Sequence, residues 1–320
     1  MATFQSTTMK NLIVDMAKHI KDEVSANGKL PSVRKVATEP VANPAVFPLI
    51  TVIPIAENNR GYKGNKLYNV RRVRVEAICQ KRDSKSALRQ SIGIIEQIKD
   101  IFKVNSFDYQ VPDSETLSVD TVMDLEIIEI ETSNRPTPFR NGFLNVGAIE
   151  FDAHSFDKVY THEDVPSTER SLTVEETDTK TLLDKVTGYL KTAKLASSII
   201  SEVRSLKSFT LPPSPVYPVV FVSLENESRD HRFAGQDSVD RQVGINIFTK
   251  LKSRTKSLDR SMDLADRCRQ IIMAHPDISG SCYNVDYLGT NYGQISIRGD
   301  LVFGTQVLFN TSSYEGLPTS

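Results

Sequence analysis

The sequence predicts an α/β (α+β) protein: two tandem copies of a small sandwich, each a mixed sheet with helices packed on it. Three observations carry this. Val46-Phe47-Pro48-Leu49-Ile50-Thr51-Val52 reappears 170 residues later as Val216-Tyr217-Pro218-Val219-Val220-Phe221-Val222. The same spacing, without a gap, places Leu12 on Leu182, Val33-Arg34 on Val203-Arg204, Glu57 on Glu227, Val73 on Val243, Leu88 on Leu258 and Ile101 on Ile271. Within each copy, apolar residues at helical spacing alternate with segments of period two, the signature of helices and half-buried strands in one core. Residues 1–157 form the first expected domain, 158–177 a polar, acidic linker, and 178–320 the second.

Each copy opens with an amphipathic helix. Leu12, Ile13, Met16 and Ile20 form its stripe in the first, ending near Asn27-Gly28, and Leu182, Leu183, Val186 and Leu190 in the second. A short arm follows, Val33 to Val36 or Val203 to Leu206, either an edge strand or an extended wrap. The first strand runs from Leu49 to Ile55, or Val219 to Leu224, and its apolar start implies cover on both faces. Pro48 and Pro218 stand at its beginning, where a missing N–H is tolerated. Polar stretches from Ala56 to Asn69 and from Glu225 to Asp240 are expected as long connecting loops and contact surfaces.

The next strand alternates, with Val73, Val75 and Ala77 facing the core and Arg72, Arg74 and Glu76 facing away; Val243, Ile245 and Ile247 repeat the inward set. A long helix starts near Asp83-Ser84, or near Ser257, and buries Leu88, Ile92, Ile95, Ile98 and Phe102, or Leu258, Met262, Ala265, Cys268 and Ile272. Strands over Thr121–Ile130 and Phe143–Phe151 close the first copy. Asn284–Leu288, Gln294–Val302 and Gln306–Phe309 close the second. Here the gapless match fails: aligning Val146-Gly147 with Phe303-Gly304 implies about thirteen extra residues in copy one, around Asn134-Arg135-Pro136-Thr137-Pro138.

Composition narrows the function classes. With 39% apolar and 25% charged residues and no Trp, the chain has the make-up of an ordinary globular protein. A net charge of -1 argues against a dedicated nucleic-acid binder. No apolar run approaches membrane-spanning length, and Met1 to Ser6 lacks a signal pattern, so assembly in a cytoplasm is expected. Cys79, Cys268 and Cys282 lack zinc-type spacing and read as buried thiols.

A catalytic constellation does not emerge. None of His19, His154, His162, His231 and His275 has a histidine at the matching position of the other copy. His19 is expected on the surface, and His154 and His162, near Glu163-Asp164, lack metal-ligand spacing. P-loop, dinucleotide, GxSxG and HExxH patterns are absent from the sequence, and Gly61-Tyr62-Lys63-Gly64 sits between strands, not before a helix. Glu126, Glu129 and Glu131 read as a solvated strand face. One charged feature recurs between strand and helix: Lys81, Arg82 and Lys85 in copy one, and Lys250, Lys252, Arg254 and Lys256 in copy two. It reads as a solvated junction or as a basic rim for an acidic partner or passing DNA.

The residues Phe47-Pro48-Leu49-Ile50-Thr51-Val52, Arg72-Val73-Arg74-Val75 and the helix from Ser84 to Phe102, with Tyr217–Val222, Val243–Ile247 and Ser257–Ile272, resemble the tail terminator proteins of long-tailed bacteriophages. The resemblance implies a structural virion protein at the tail-neck junction, assembled in the host cytoplasm. It would form a ring at the head-proximal end of the tail that stops tube polymerisation and docks the head connector. Family members usually carry one such domain, so the resemblance implies either a hexamer with stacked or concentric rings or a trimer with pseudo-sixfold symmetry. Implied partners are the tail tube protein, connector or neck proteins and the sheath, with DNA only as cargo; no cofactor, metal or membrane is implied. Arg60, Tyr62, Lys63, Lys66, Arg229 and Arg232 are the expected ring and tube contacts. The alternatives are another neck, sheath or baseplate protein, or an enzyme with its site between the two copies.

Overall fold

The computed structural model describes residues 8–25, 28–41, 44–63, 66–104, 122–132, 136–158, 178–196, 200–208, 215–232, 236–250, 254–275, 277–282, 284–297 and 300–316. The expected linker therefore lies, apart from Lys158, outside the described residues. The protein is mixed α/β and dominated by sheet, with eleven strands and four helices among the described residues. The chain divides into two compact units, Met1–Lys158 and Val159–Ser320.

Unit one begins with α1 (Met9–Asp22), capped by Thr8, whose hydroxyl accepts the Asn11 N–H at 3.3 Å. Leu12, Ile13, Met16 and Ile20 are buried as their spacing predicts. The helix stops at Asp22, short of the expected Asn27-Gly28. The Glu23 N–H turns back to the Ile20 carbonyl, and the Glu23 carboxylate takes the Lys29 N–H at 3.0 Å, which closes the turn early. The arm becomes β1 (Lys35–Ala37), a parallel edge strand against β2 (Leu49–Lys63). β2 pairs antiparallel with β3 (Lys66–Lys81), and α2 (Ser84–Val104) follows, its first turn capped by Asp83 accepting the Ser86 N–H at 2.8 Å. β4 (Val122–Thr132), β5 (Thr137–Phe139) and β6 (Gly142–Lys158) complete the unit, in the order β1-β2-β3-β6-β4 with β5 folded back on β6.

Unit two contains α3 (Thr179–Ala196), a 3-10 turn at Ile200–Glu202, β7 (Ser205–Ser208), β8 (Val219–Arg232), β9 (Gln236–Thr249), α4 (Arg254–Met273), β10 (Asn284–Ile297) and β11 (Asp300–Gly316). Its strand order is β7-β8-β9-β11-β10. β7 again pairs parallel with the start of β8, and the Arg204 N–H reaches the Pro218 carbonyl as the Arg34 N–H reaches that of Pro48. Both prolines follow cis peptide bonds.

Helices cover one side of each sheet. In unit one α2 packs on β3 and β6, with Phe102 edge-on to Phe151 at 5.0 Å; in unit two α4 packs on β9 and β11. Val73, Val75 and Ala77, like Val243, Ile245 and Ile247, lie in the cores so formed. Three expectations need correction. The described residues of Ala56–Asn69 and Glu225–Asp240 are not loop: β2 to Lys63 and β3 from Lys66, and β8 to Arg232 and β9 from Gln236, run through them as hairpin arms. Polar side chains there suggest a connection, but a strand pair keeps its backbone ladder without apolar residues, and polar side chains such as Glu57 and Asn69 are themselves buried. Ile92 is 37% exposed, because Ala87, Ser91 and Ile94 share the inward face with Ile95 and Ile98; its counterpart Met262 is buried.

The third correction is one of register. Phe151 lies opposite Val73 and Phe309 opposite Val243, so the final strands correspond one residue away from the Gly147–Gly304 match. A slip of one residue would turn every side chain to the other face, so core packing decides what glycine identity cannot. The three closing segments expected in copy two are two long strands, β10 and β11. α4 starts at Arg254, three residues before the expected Ser257.

Replacing Phe151 or Phe309 by Ala should lower the urea midpoint of the chain by an amount equivalent to about 3–5 kcal/mol, whereas Ile92→Ala should leave it within about 0.5 kcal/mol.

Candidate functional site

The arms are the features with the most to explain, because each contains a buried arginine, paired with a glutamate, where the strand alternation calls for an apolar residue. Arg71 has the parity of Val73 and Val75, so it points to the covered side, and it is 0% exposed. Its Nε donates to Glu57 Oε2 at 3.2 Å across the hairpin and its Nη1 to Ser155 Oγ on β6 at 2.6 Å. Glu57 itself is 1% exposed. In unit two Arg241 is equally buried; its Nε donates to Glu227 Oε2 at 3.1 Å and Thr179 Oγ1 at 3.0 Å, and its Nη1 to Ser313 Oγ at 2.7 Å. Each guanidinium thus ties the two strands of an arm to the last strand of its sheet. A charge taken out of water needs such satisfaction on every side to be tolerated.

Thr179 also donates to Glu227 Oε2 at 2.7 Å, linking the start of α3 to the base of the arm. That hydrogen bond, reinforced by those from Arg229 and Arg241, holds the Glu227 carboxyl at a pKa of about 2 despite an opposing effect of burial. The pair was legible as a repeated Glu57/Glu227 and Arg71/Arg241 at one spacing, with the arginine on an inward position. Sequence reasoning noted the glutamates and passed over the arginines.

From this base the arm of unit one continues to the Lys63–Lys66 pair, about 20 Å further along at the usual strand rise. Asn59 Oδ1 accepts the Gly61 N–H at 2.7 Å, and Gly61, at φ 111°, takes a conformation that side chains rarely adopt, which lets the ladder resume at Tyr62 opposite Leu67. Arg60 is exposed on the arm; Tyr62, Lys63 and Lys66 lie on its ladder, their side chains outside the described residues. Arg229 is exposed on β8 and donates to Glu227 Oε1 at 2.9 and 3.0 Å, and Arg232 pairs through its backbone with Gln236.

The basic junctions are partly placed. Lys81 ends β3, Arg82 follows it and Lys85 lies in the first turn of α2, all exposed. Lys250 and Lys256 are exposed about the start of α4, Arg254 is its first residue, and Lys252 is outside the described residues.

The uncovered sides of the two sheets differ chemically. In unit one Arg72 grips Asp152 through two bonds of 2.7 and 2.8 Å, and Arg74 reaches Glu76, Glu131 and Glu150. Burial works to lower the Arg74 pKa, but the bonds to Glu131 and Glu150 outweigh it and hold it above the ordinary arginine value. Glu131 is therefore an ion-pair partner and not simply solvated, while Glu126 and Glu129 are exposed. In unit two the corresponding β9 positions are Gln242, Gly244 and Asn246, and Gln306 donates to Asn246, which donates to Ser223.

The histidines are placed as follows. His19 is half-buried against Phe102 instead of on the surface, and Tyr189 stacks on His275 at 3.8 Å. His154 Nδ1 lies 2.7 Å from the Tyr68 hydroxyl and its Nε2 3.6 Å from Glu126; His162 is outside the described residues. Among the described residues no group of three His, Cys, Asp or Glu could hold a metal, and no helix is long and apolar enough to cross a membrane. Cys79, Cys268 and Cys282 are buried, and burial pushes each thiol up to about 12.

No protein-family model and no curated protein matches the chain. Among solved structures it shows a likeness to the di-domain ARO/CYC StfQ of the steffimycin biosynthetic pathway, at 8% identity over 81% of this chain and 74% of that one. The TM-score of 0.10 is too low for the likeness to bear on fold or function.

Arg71→Ala should cost about 3–5 kcal/mol by leaving Glu57 buried and uncompensated, while the paired change Arg71→Met with Glu57→Leu should cost less than either single truncation, measured as urea midpoints. The stability Glu227 supplies is full above its ordinary pKa of 4.5 and lost as pH falls towards about 2. Glu227→Gln should therefore flatten the acid limb of the stability curve over that window, read by circular dichroism.

Proposed function

We propose that the chain is a structural protein of a bacteriophage virion, a tail terminator built as a tandem duplication of a small sandwich domain. In this reading residues 1–157 and 178–320 are the two copies and 158–177 joins them. It forms a ring at the head-proximal end of the tail, stops tube polymerisation and gives the head connector a docking surface. The observation that carries the reading is the pair of hairpin arms, one per unit, each braced by a buried arginine bonded to a glutamate at the same place. A long strand pair held rigid at its base is suited to reaching a neighbour and poorly suited to enclosing a substrate.

The same strand order in both units and the same parallel edge strand before each cis-proline support the duplication. Two like units per chain suit a hexamer with stacked or concentric rings or a trimer with pseudo-sixfold symmetry. Arg60, Tyr62, Lys63, Lys66, Arg229 and Arg232 on the arms make the contacts to neighbours and tube. The basic junctions at Lys81, Arg82, Lys85, Lys250, Lys252, Arg254 and Lys256 meet an acidic partner or the passing DNA. The chain acts without a cofactor and catalyses no reaction.

The arm β1 or β7 pairs within its own unit, which favours the terminator over a neck or baseplate protein that lends an extended arm to its neighbour. Purified chain added to growing tail tubes should halt elongation at one end, and Arg60→Glu with Arg229→Glu should abolish the arrest without unfolding the chain. Tubes that grow unchanged in the presence of the wild-type chain would overturn the proposal.

A further inference from the structure

Two strand edges are open among the described residues and suit each other. β4 ends the sheet of unit one, with a ladder to β6 on one side only. It is 11 residues long and presents Ile128, 40% exposed, and Ile130, 39% exposed, among the exposed Glu126, Glu129 and Glu131. In unit two β7 matches only Val219–Val222 of β8, so from Ser223 to Arg232 that side of β8 carries no ladder among the described residues. Leu224, 37% exposed, lies on this stretch with the exposed Glu225, Asp230 and Arg229, the last bonded to Glu227, and the exposed Lys207 and Arg204 lie on and just before β7.

Long open edges are normally shortened, covered or paired. β4 is long, and among the described residues no strand pairs with its outer edge; its two bulges and its glutamates guard that edge in part, whereas its exposed isoleucines do not. Pairing β4 with β4 of a second copy would bring glutamates face to face, which opposes a symmetric dimer. Pairing it with the β8 edge sets glutamates against a face of mixed sign, Arg229 and Lys207 beside Glu225 and Asp230, in place of a wholly acidic one, and isoleucines near Leu224.

We infer that β4 of one copy adds to the open β8 edge, beside β7, of a second copy of the same chain. The contact is head-to-tail, each copy offering one edge of each kind, and such contacts close into rings when the rotation allows. The inference rests on the ring reading above and names the surface that makes the ring.

The test uses full-length chain under the conditions in which wild type assembles, with mass read by light scattering. Ile128→Lys with Ile130→Lys blocks the β4 edge, and Leu224→Lys blocks the β8 edge. All three side chains are exposed, so circular dichroism and the urea midpoint should match wild type. Each variant alone should remain a single chain, and an equimolar mixture should stop at a one-to-one complex, because one good edge of each kind survives. Rings formed by either variant would overturn the edge contact and leave the ring reading standing, and so would dimers of the Leu224→Lys chain alone. A wild type that stays a single chain even at tube ends would overturn both.

Discussion

The two buried guanidiniums hold the architecture of each unit in place. Arg71 and Arg241 stand where a strand leaves the helix-covered core and becomes an arm, and each binds a glutamate across the hairpin and a serine on the neighbouring strand. An apolar residue there would pack as well, and buried pairs are often no more stabilising than such a replacement. The pair adds a requirement: both strands and the last strand of the sheet must be in register before the charges are satisfied. An arm with few apolar side chains has little else to fix its register, and a flat polar hairpin is free to slip.

That constraint orders the rest. With the arm registered, β3 and β9 present valine, isoleucine and alanine to the helices on alternate residues and leave the opposite side to polar groups. Unit one fills that side with Arg72, Arg74 and their carboxylates, and unit two with Asn246, Gln306 and Ser223. Ion pairs in the first are partly solvated and add little stability each, so their difference from the amides of the second concerns what the surfaces can meet more than how firmly the units fold. Two units with one strand order and unlike surfaces fit a chain whose halves share a scaffold and face different neighbours, as the proposed ring requires.

Much of this was legible in the residues. The stripes of α1 and α3, the inward valines of β3 and the Asp83 cap follow from period and capping chemistry, whereas the short arms before Pro48 and Pro218 read equally as edge strand or wrap until their pairing is seen. The arms did not, because strand length there depends on the hairpin ladder, which leaves no hydrophobic alternation to read. The register of the final strands was misplaced by one residue, since identical glycines were matched where the opposing core residues, Phe151 to Val73 and Phe309 to Val243, decide. Among the candidate contacts, Arg60 and Arg229 are exposed as interface residues must be. The sharpest signal, an arginine at an inward strand position of both units, is present in the sequence and needs only the alternation to be carried one residue pair further back.

The central claim is that the chain, with one hairpin arm in each unit, assembles into a ring at the end of a tail tube. It is tested most directly by the mass of the purified chain in solution by light scattering, with negative-stain imaging in the presence and absence of tail tubes. The account predicts a closed ring, or a single chain that forms one only at tube ends. A compact single chain indifferent to tubes would contradict it.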